Sequence, residues 1–428
     1  MIIVFVEEIT ERLIYVFDFV FKDRGVKFQL TNDPLFFDLN EGDKFSYSLR
    51  KFEGVPQLIP ADLLFTESIK EYQLSKGFFF DEECLVLDHL CDPFAAIFYV
   101  LSRYEEYIIL KRDNHDRFLP NNSIQFEYKW LDKCVCDRWC VAIFSFLEDC
   151  FVKPIDSYRI ESKLIPTFDI DHVRAFEWKE GIRTLYGQAR DFIEKKYTQK
   201  KRRSNVLAKI EKDPYDTFDL IQSFVNEGLD VKVFWLVGDF AKNDKNISAY
   251  DERHRALILE MANQLDVGIH PSYKSNDSTY FLEKEILRLN EITGHKIIIS
   301  RQHYLKLELP LTYRNLISYG IKDDYSMGYA QEPGFRAGTA RPFYFFDLKK
   351  NTKTNLKLHP FSYMDITYRK YKKMSVIQAK DSVQQLSNEV KQFGGQFIPV
   401  WHNESISEYE EWVGWSELLY FTKQQFLF

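Results

Sequence analysis

Cysteine is absent beyond position 150; the six in the chain are Cys84, Cys91, Cys134, Cys136, Cys140 and Cys150. None forms a Cys-x-x-Cys pair, so the paired thiolate ends of most structural zinc sites are missing, and Cys134, Cys136 and Cys140 read as reduced core thiols on a helix with Trp139 and Phe144. An excess of positive charge is also missing, since 57 basic against 64 acidic residues leave −7, which implies no general affinity for nucleic acid. There is no Gly-Lys-(Ser/Thr) phosphate loop, no internal repeat and no low-complexity tract. The longest early apolar run, Ile9 to Phe21, is too short to span a bilayer and is interrupted by Glu11, Arg12 and Asp18, so a buried helix is expected. The start carries no basic leader, long apolar core or small-residue cleavage site, which gives a cytoplasmic expectation.

With 428 residues, 45% of them hydrophobic, the chain can build two cores. The break falls where Lys153-Pro154-Ile155-Asp156-Ser157 ends the helix carrying Phe144 to Phe151, giving domains 1–158 and 159–428. The first reads as a smaller mixed α/β unit, with Asp92 capping a helix that has Pro93 in its first turn. Its charged, turn-forming cluster Arg112 to Phe118 reads as a solvated loop. In the second, helical patterns alternate with apolar runs at Val231 to Val237, Val267 to His270, Ile297 to Ser300, Leu356 to Leu358 and Phe397 to Val400. That alternation predicts parallel βα units.

The chemistry concentrates at the ends of those runs. In Thr167-Phe168-Asp169-Ile170-Asp171 two carboxylates spaced i, i+2 point the same way where a strand meets its loop. At such a position one acid can hold a metal while the other takes a proton from water. Three later runs close on histidines, His270, His303 and His402, and parallel strands would bring all three to one face.

These residues resemble the polysaccharide deacetylase family, the NodB-homology group of metal-dependent carbohydrate esterases that remove acetyl groups from amino sugars. Thr167 to Asp171 is similar to its first motif, which implies Asp169 as general base and Asp171 as metal ligand. His270 matches the first histidine of the His-(Ser/Thr)-x-x-His motif, but position i+4 holds Lys274. An ammonium is a poor ligand, so another group must complete the set. His303, two residues beyond Arg301 on an extended segment, is the most economical replacement, with Ser272, Tyr273 and water as competitors. Arg301 resembles the arginine that orients the base. Val400-Trp401-His402-Asn403 resembles the closing motif that supplies the general acid, here His402. Asp324 falls where the family carries an acid that tunes the catalytic histidine. The resemblance covers about the C-terminal three-fifths of the chain and implies an irregular (β/α) barrel preceded by a domain of unknown role, together with a divalent metal, zinc first among the candidates. Leu101 to Tyr107 and Asp137 to Trp139 look like that preceding domain as found in some bacterial members.

Two further stretches carry expectations. Residues 172–216 form an insertion whose 178–203 portion sets Trp178, Ile182, Leu185, Tyr186 and Phe192 at helical spacing before Lys195-Lys196 and Lys200-Lys201-Arg202-Arg203. Such a segment reads first as a packed helix followed by a solvated basic loop, since the apolar stripe also serves a core, and otherwise suits peripheral contact with an anionic membrane. Residues 327–342 form a loop whose glycines allow close backbone approach to a ligand and whose Arg336 and Arg341 would grip an anionic substrate group. Tyr273 and Trp401 are further candidate sugar contacts. The expected function is metal-dependent removal of an acetyl group, N-acetyl favoured, from an amino-sugar glycan or its precursor. The alternative is an inactive carbohydrate-binding or assembly protein on the same fold, and the oligomeric state is left open.

Overall fold

A computed structural model describes residues 1–151, 153–158, 160–179 and 197–427. The chain opens with four parallel strands, β1 (Ile2–Phe5), β2 (Phe28–Thr31), β3 (Lys44–Tyr47) and β4 (Gln57–Leu58), in the order β2-β1-β3-β4. The apolar run after β1 is a helix at Glu11–Val20, capped by the Thr10 side chain accepting from the Leu13 N–H and buried through Leu13, Val16, Phe17 and Val20. Three antiparallel strands follow, β5 (Leu74–Phe79), β6 (Glu82–Leu87) and β7 (Leu90–Cys91). The helix Pro93–Leu101 begins as its sequence predicts, with Asp92 accepting from the N–H groups of Phe94 and Ala95, and all nine of its residues are buried. Each large apolar side chain so buried contributes roughly 1.5–3 kcal/mol. Cys134, Cys136 and Cys140 are free and buried, the last two on helix Val135–Glu148.

A short strand β8 (Ser162–Leu164) then leads into a nine-stranded sheet. Its members are β9 (Thr167–Ile170), β10 (Lys232–Trp235), β11 (Asp266–Ile269), β12 (Ile299–Ser300), β13 (Asp323–Asp324), β14 (Phe343–Asp347), β15 (Thr352–Leu358), β16 (Tyr363–Met364) and β18 (Pro399–His402). Strand β17 (Gly395–Phe397) pairs with β8. The order is β14-β15-β13-β12-β11-β10-β9-β18-β16, and every pair except β14 with β15 is parallel. The chain leaving β15 crosses from one end of this order to the other: the His359 N–H bonds the Asp324 carbonyl and the Ser362 N–H bonds the Ile398 carbonyl, each at 2.8 Å. The chain is therefore mixed α/β, and its parallel strands deliver their carboxyl ends to one side.

The two parts share one apolar core, running from Val4 and Phe17 through Ile97 and Phe98 to Phe346, Leu356 and Trp401. Loop 327–342 is irregular, as its glycines predict, but what they approach is protein. A Cβ on Gly334, at φ +120°, would stand 2.1 Å from the Leu131 carbonyl oxygen, and one on Gly338 would meet Val100 and Val135 at 2.8 Å. Arg336 donates to both oxygens of Glu106 at 3.0 and 2.6 Å, and Arg341 lies 3.0 Å from Asp137. Both guanidinium groups are buried against the N-terminal part, so the expected anion grip becomes a pair of internal ion pairs.

Ile182, Leu185, Tyr186, Phe192 and Lys195-Lys196 lie outside the described residues. The second basic cluster is helical, within Tyr197–Leu207, where a solvated loop was the expectation. Its arginines pack on aromatic faces, Arg202 over Tyr409 at 4.7 Å and Arg203 over Phe176 at 4.6 Å. Among the described residues no helix is long and apolar enough to cross a membrane.

Removing one member of a buried ion pair strands its partner at a cost of about 3–5 kcal/mol. Glu106 keeps Arg103 at 2.8 Å, so Arg336→Met should lower the chain's stability by less than that full range, measured by urea unfolding, while leaving metal content unchanged. A loss of glycan affinity at unchanged stability would return Arg336 to the binding site.

Candidate metal-dependent active site

The register of five neighbouring strands builds the centre. His402 stands opposite Asp169, Asp169 opposite Phe234, Phe234 opposite Gly268, and Ile269 opposite Ser300. Asp171, His270 and Arg301 each follow directly on a strand end, so their side chains meet. Asp171 Oδ1 lies 3.3 Å from His270 Nε2, and Asp171 Oδ2 lies 3.3 Å from His303 Nε2. One donor atom from each of these three residues falls within 4.8 Å of the others. The chain is extended only as far as Gln302, and His303 opens a tight turn, Tyr304 adopting φ 58°.

Each imidazole has its other nitrogen fixed. His270 Nδ1 donates to the Arg301 carbonyl at 2.6 Å, and His303 Nδ1 pairs with Asp244 Oδ1 at 2.9 Å. This leaves both Nε2 atoms directed at Asp171, the arrangement of orienting partners behind metal-ligating histidines. Asp171 Oδ1 is buried with no hydrogen-bond partner. A buried carboxylate oxygen in that state is costly unless a cation meets it. Two imidazole nitrogens and one carboxylate oxygen suit zinc or a neighbouring divalent ion, so the residues fit the implied metal. Burial alone would raise the Asp171 carboxyl, but the nearby imidazoles of His303 and His270 hold it well below the usual carboxylate range. Burial would lower His303, yet Asp171 and Asp244 push it up to about 9.

Asp169 sits beside this trio, its Oδ2 3.8 Å from His270 Nε2 and its Oδ1 accepting from Arg301 Nη1 at 2.9 Å. On the far side of Asp171, His402 Nε2 lies 3.7 Å from Asp171 Oδ2. Behind His402, Asp365 takes its Nδ1 at 2.9 Å and its backbone N–H at 2.7 Å. Burial would depress the His402 imidazole, but Asp365 dominates and raises it to about 10, so it carries a proton at neutral pH.

Asp169, Asp171, His270, His303 and His402 line one cavity of about 350 Å³, joined by His172, Gln302, Tyr304, Lys370, Tyr371 and Glu404. Arg301 lies beneath it, fully buried. Trp401 is also fully buried and donates to Tyr363 at 3.3 Å, away from the cavity, while Tyr273 stands at the edge with its hydroxyl 3.2 Å from His115. Lys274 is exposed, its ammonium over Phe281. Asp324 is buried among the hydroxyls of Ser300 and Ser326 and does not reach His402. Asp365 and Asp244, which do partner the histidines, were not singled out from the sequence: Asp244 lies on a loop, and Asp365 follows a strand of only two residues, Tyr363–Met364.

The cavity also contains Arg117, from the cluster expected to be a solvated loop. Arg117 and Phe118 are buried, and the loop is closed by an Arg112 to Phe118 bridge. The charge pattern that suggested solvent is satisfied internally, Asp113 accepting from Arg117 Nε at 2.8 Å.

Residues 2–152 match a family of unknown function, DUF7033. No curated protein matches the chain. Among solved structures the chain is similar to a Mycobacterium smegmatis protein assigned as a polysaccharide deacetylase, at 13% identity and TM-score 0.39 over 61% of this chain and 84% of that one. It is also similar to an allantoinase, at 10% identity and TM-score 0.37 over 62% and 85% of the two chains. A polysaccharide deacetylase from Bacillus cereus shows 12% identity and TM-score 0.30 over 63% and 88%.

Asp365 is the charge that outweighs burial at His402. In the protein prepared without metal, Asp365→Asn should move the His402 titration down from about 10, followed by NMR of the imidazole carbons across pH 5 to 11. An unmoved titration would show that another group sustains the His402 charge.

Proposed function

We propose that the chain is a metal-dependent hydrolase that removes an acetyl group, N-acetyl favoured over O-acetyl, from a sugar of a surface polysaccharide or its precursor. The observation that carries the reading is the donor set of Asp171, His270 and His303, with its orphaned buried carboxylate oxygen, set between Asp169 on one side and His402 on the other. In this reading the nine-stranded sheet is an irregular (β/α) barrel joined through 359–362, and residues 1–158 and 159–428 are its two domains. The protein works in the cytoplasm, where residues 178–203 would give peripheral contact with the membrane that carries a lipid-linked precursor.

Asp171, His270 and His303 would hold the divalent ion, zinc by preference, which supplies Lewis acidity toward an acyl oxygen and toward water. Asp169 takes the proton of the attacking water. Arg301 fixes the direction of that carboxylate through the 2.9 Å bond to Oδ1. His402, protonated through Asp365, gives its proton to the departing amine. The acceptor and the donor of the proton thus stand on opposite sides of Asp171, each oriented by its own partner.

His303→Ala and His270→Ala should each lose bound zinc, measured by elemental analysis after dialysis, whereas Lys274→Ala should keep it. Asp169→Asn should keep zinc and lower acetate release from N-acetylated amino-sugar oligosaccharides by about 10²–10⁴-fold. Parent-level release from Asp169→Asn would remove it as the base. Zinc and glycan binding without any release by the parent protein would favour the carbohydrate-binding alternative.

A further inference from the structure

The strand ends do not supply every wall of the cavity. Residues 112–118, from the part matching the family of unknown function, form a built loop at its mouth. Asp113 organises the loop by accepting from the N–H groups of His115 and Arg117 at 2.8 and 3.0 Å and from Gln331 at 3.0 Å. Besides the Gln331 bond, further contacts tie the loop to the C-terminal part, among them Asp116 to Lys306 at 3.5 Å. Arg117 Nη1 donates to the Tyr304 carbonyl at 3.0 Å, its Nη2 donates to the Tyr371 hydroxyl at 3.3 Å, and His115 meets Tyr273 at 3.2 Å.

A guanidinium has five N–H donors, and these contacts together with the Asp113 bond use three of them. Two remain on a side chain that is 8% exposed, lines the cavity and is held rigid. Lys370, next to Tyr371, lines the same cavity, with one side of its ammonium turned to Glu411 at 3.1 Å. The cavity's carboxylates are engaged elsewhere: Asp169 by Arg301, Glu404 by His172, and Asp171 by the metal in the reading proposed. A fixed fork with two uncommitted donors and a neighbouring ammonium is the chemistry that recognises an oxyanion.

We propose that Arg117 is a specificity-determining residue which, with Lys370, grips a carboxylate or phosphate oxyanion carried by the glycan while its acyl group lies at Asp171. The N-terminal part thereby chooses the substrate of a centre built by the C-terminal part. This deepens the hydrolase reading and rests on it for the position of the acyl group.

The test measures binding of glucose, glucuronate and glucose 6-phosphate to the full-length chain by ligand-observed NMR, after chelation so that no metal can take the oxyanion. At least one anionic sugar should bind roughly 10-fold or more tightly than glucose, the better of the two identifying carboxylate or phosphate. Arg117→Gln should bring that ratio to within about twofold of unity, and Lys370→Ala should lower it by a smaller factor. No preference in the parent protein, or an undiminished one in Arg117→Gln, overturns the proposal and leaves Arg117 as a clamp between the two parts. If Arg117→Gln fails to fold, Arg117→Lys decides: a reduced ratio supports the oxyanion fork and an unchanged one refutes it. Acetate release by the zinc-loaded protein from neutral and acidic N-acetylated sugars is read separately, so that silence with both counts against the hydrolase reading while the binding ratios still judge Arg117.

Discussion

One buried cation, Arg301, holds the centre together. Its guanidinium is inaccessible to solvent, and it donates to Thr167 Oγ1 and Asp169 on β9 and to the Tyr325 carbonyl beyond β13, while its own carbonyl receives His270 Nδ1. Its plane rests on the Phe234 ring at 4.5 Å, in a space kept open by Gly268, where a Cβ would stand 2.7 Å from that ring. A charge this deep is tolerated only when paired and hydrogen-bonded, so the strands that satisfy it are fixed relative to one another. The direction of Asp169 and the tautomer of His270 follow from the same residue. Electrostatics and register are here a single constraint, since moving β9 by one residue would carry Asp169 to the opposite face and leave the guanidinium unpaired.

A second set of buried charges joins the two parts of the chain. Arg103 donates to Glu105 at 2.9 Å and to Glu106 at 2.8 Å, and Glu106 also receives Arg336. Such networks contribute more to geometry than to net stability, because desolvation offsets much of the attraction. Their position explains why loop 327–342 carries glycines and arginines without being a ligand loop. The glycines admit Leu131 and the helix faces of Val100 and Val135, and the arginines find their carboxylates on that same surface. With the interface locked in this way, loop 112–118 is brought over the mouth of the cavity.

The sequence was legible where periodicity and chemistry coincide. Asp169, Asp171, His270 and His402 each sit at or just beyond the end of an apolar run, and parallel strands carry such ends to one side. The helices at Glu11–Val20 and Pro93–Leu101 were readable from burial pattern and caps for the same local reasons. What could not be read was long-range pairing. Arg336 and Arg117 have similar sequence surroundings, charged and turn-forming, yet one closes an internal ion pair 230 residues from its partner Glu106 and the other faces the cavity. Local pattern gives a side chain's type and its element, but which carboxylate lies opposite is decided by topology. Asp244 and Asp365 were missed on the same ground.

The departure at Lys274 is resolved by a linked exchange. The turn Tyr273–Asn276 directs Lys274 to solvent, so the position that carries an imidazole in the resembling motif is not aimed at Asp171. Two carboxylates fix that turn: Glu285 accepts the Ser272 N–H and Asp244 accepts the Tyr273 N–H, each at 2.8 Å. The same Asp244 Oδ1 receives His303 Nδ1 at 2.9 Å, which aligns His303 Nε2 with Asp171. One oxygen therefore both fixes the turn that carries the departing position and orients the histidine that stands in its place. A second imidazole can be supplied from a neighbouring strand end only if a partner defines its tautomer, and Asp244 is within reach because the turn is anchored to it. Asp244 thus both fixes the turn that aims Lys274 at solvent and orients His303 toward Asp171, so the two arrangements depend on one hydrogen-bonded carboxylate.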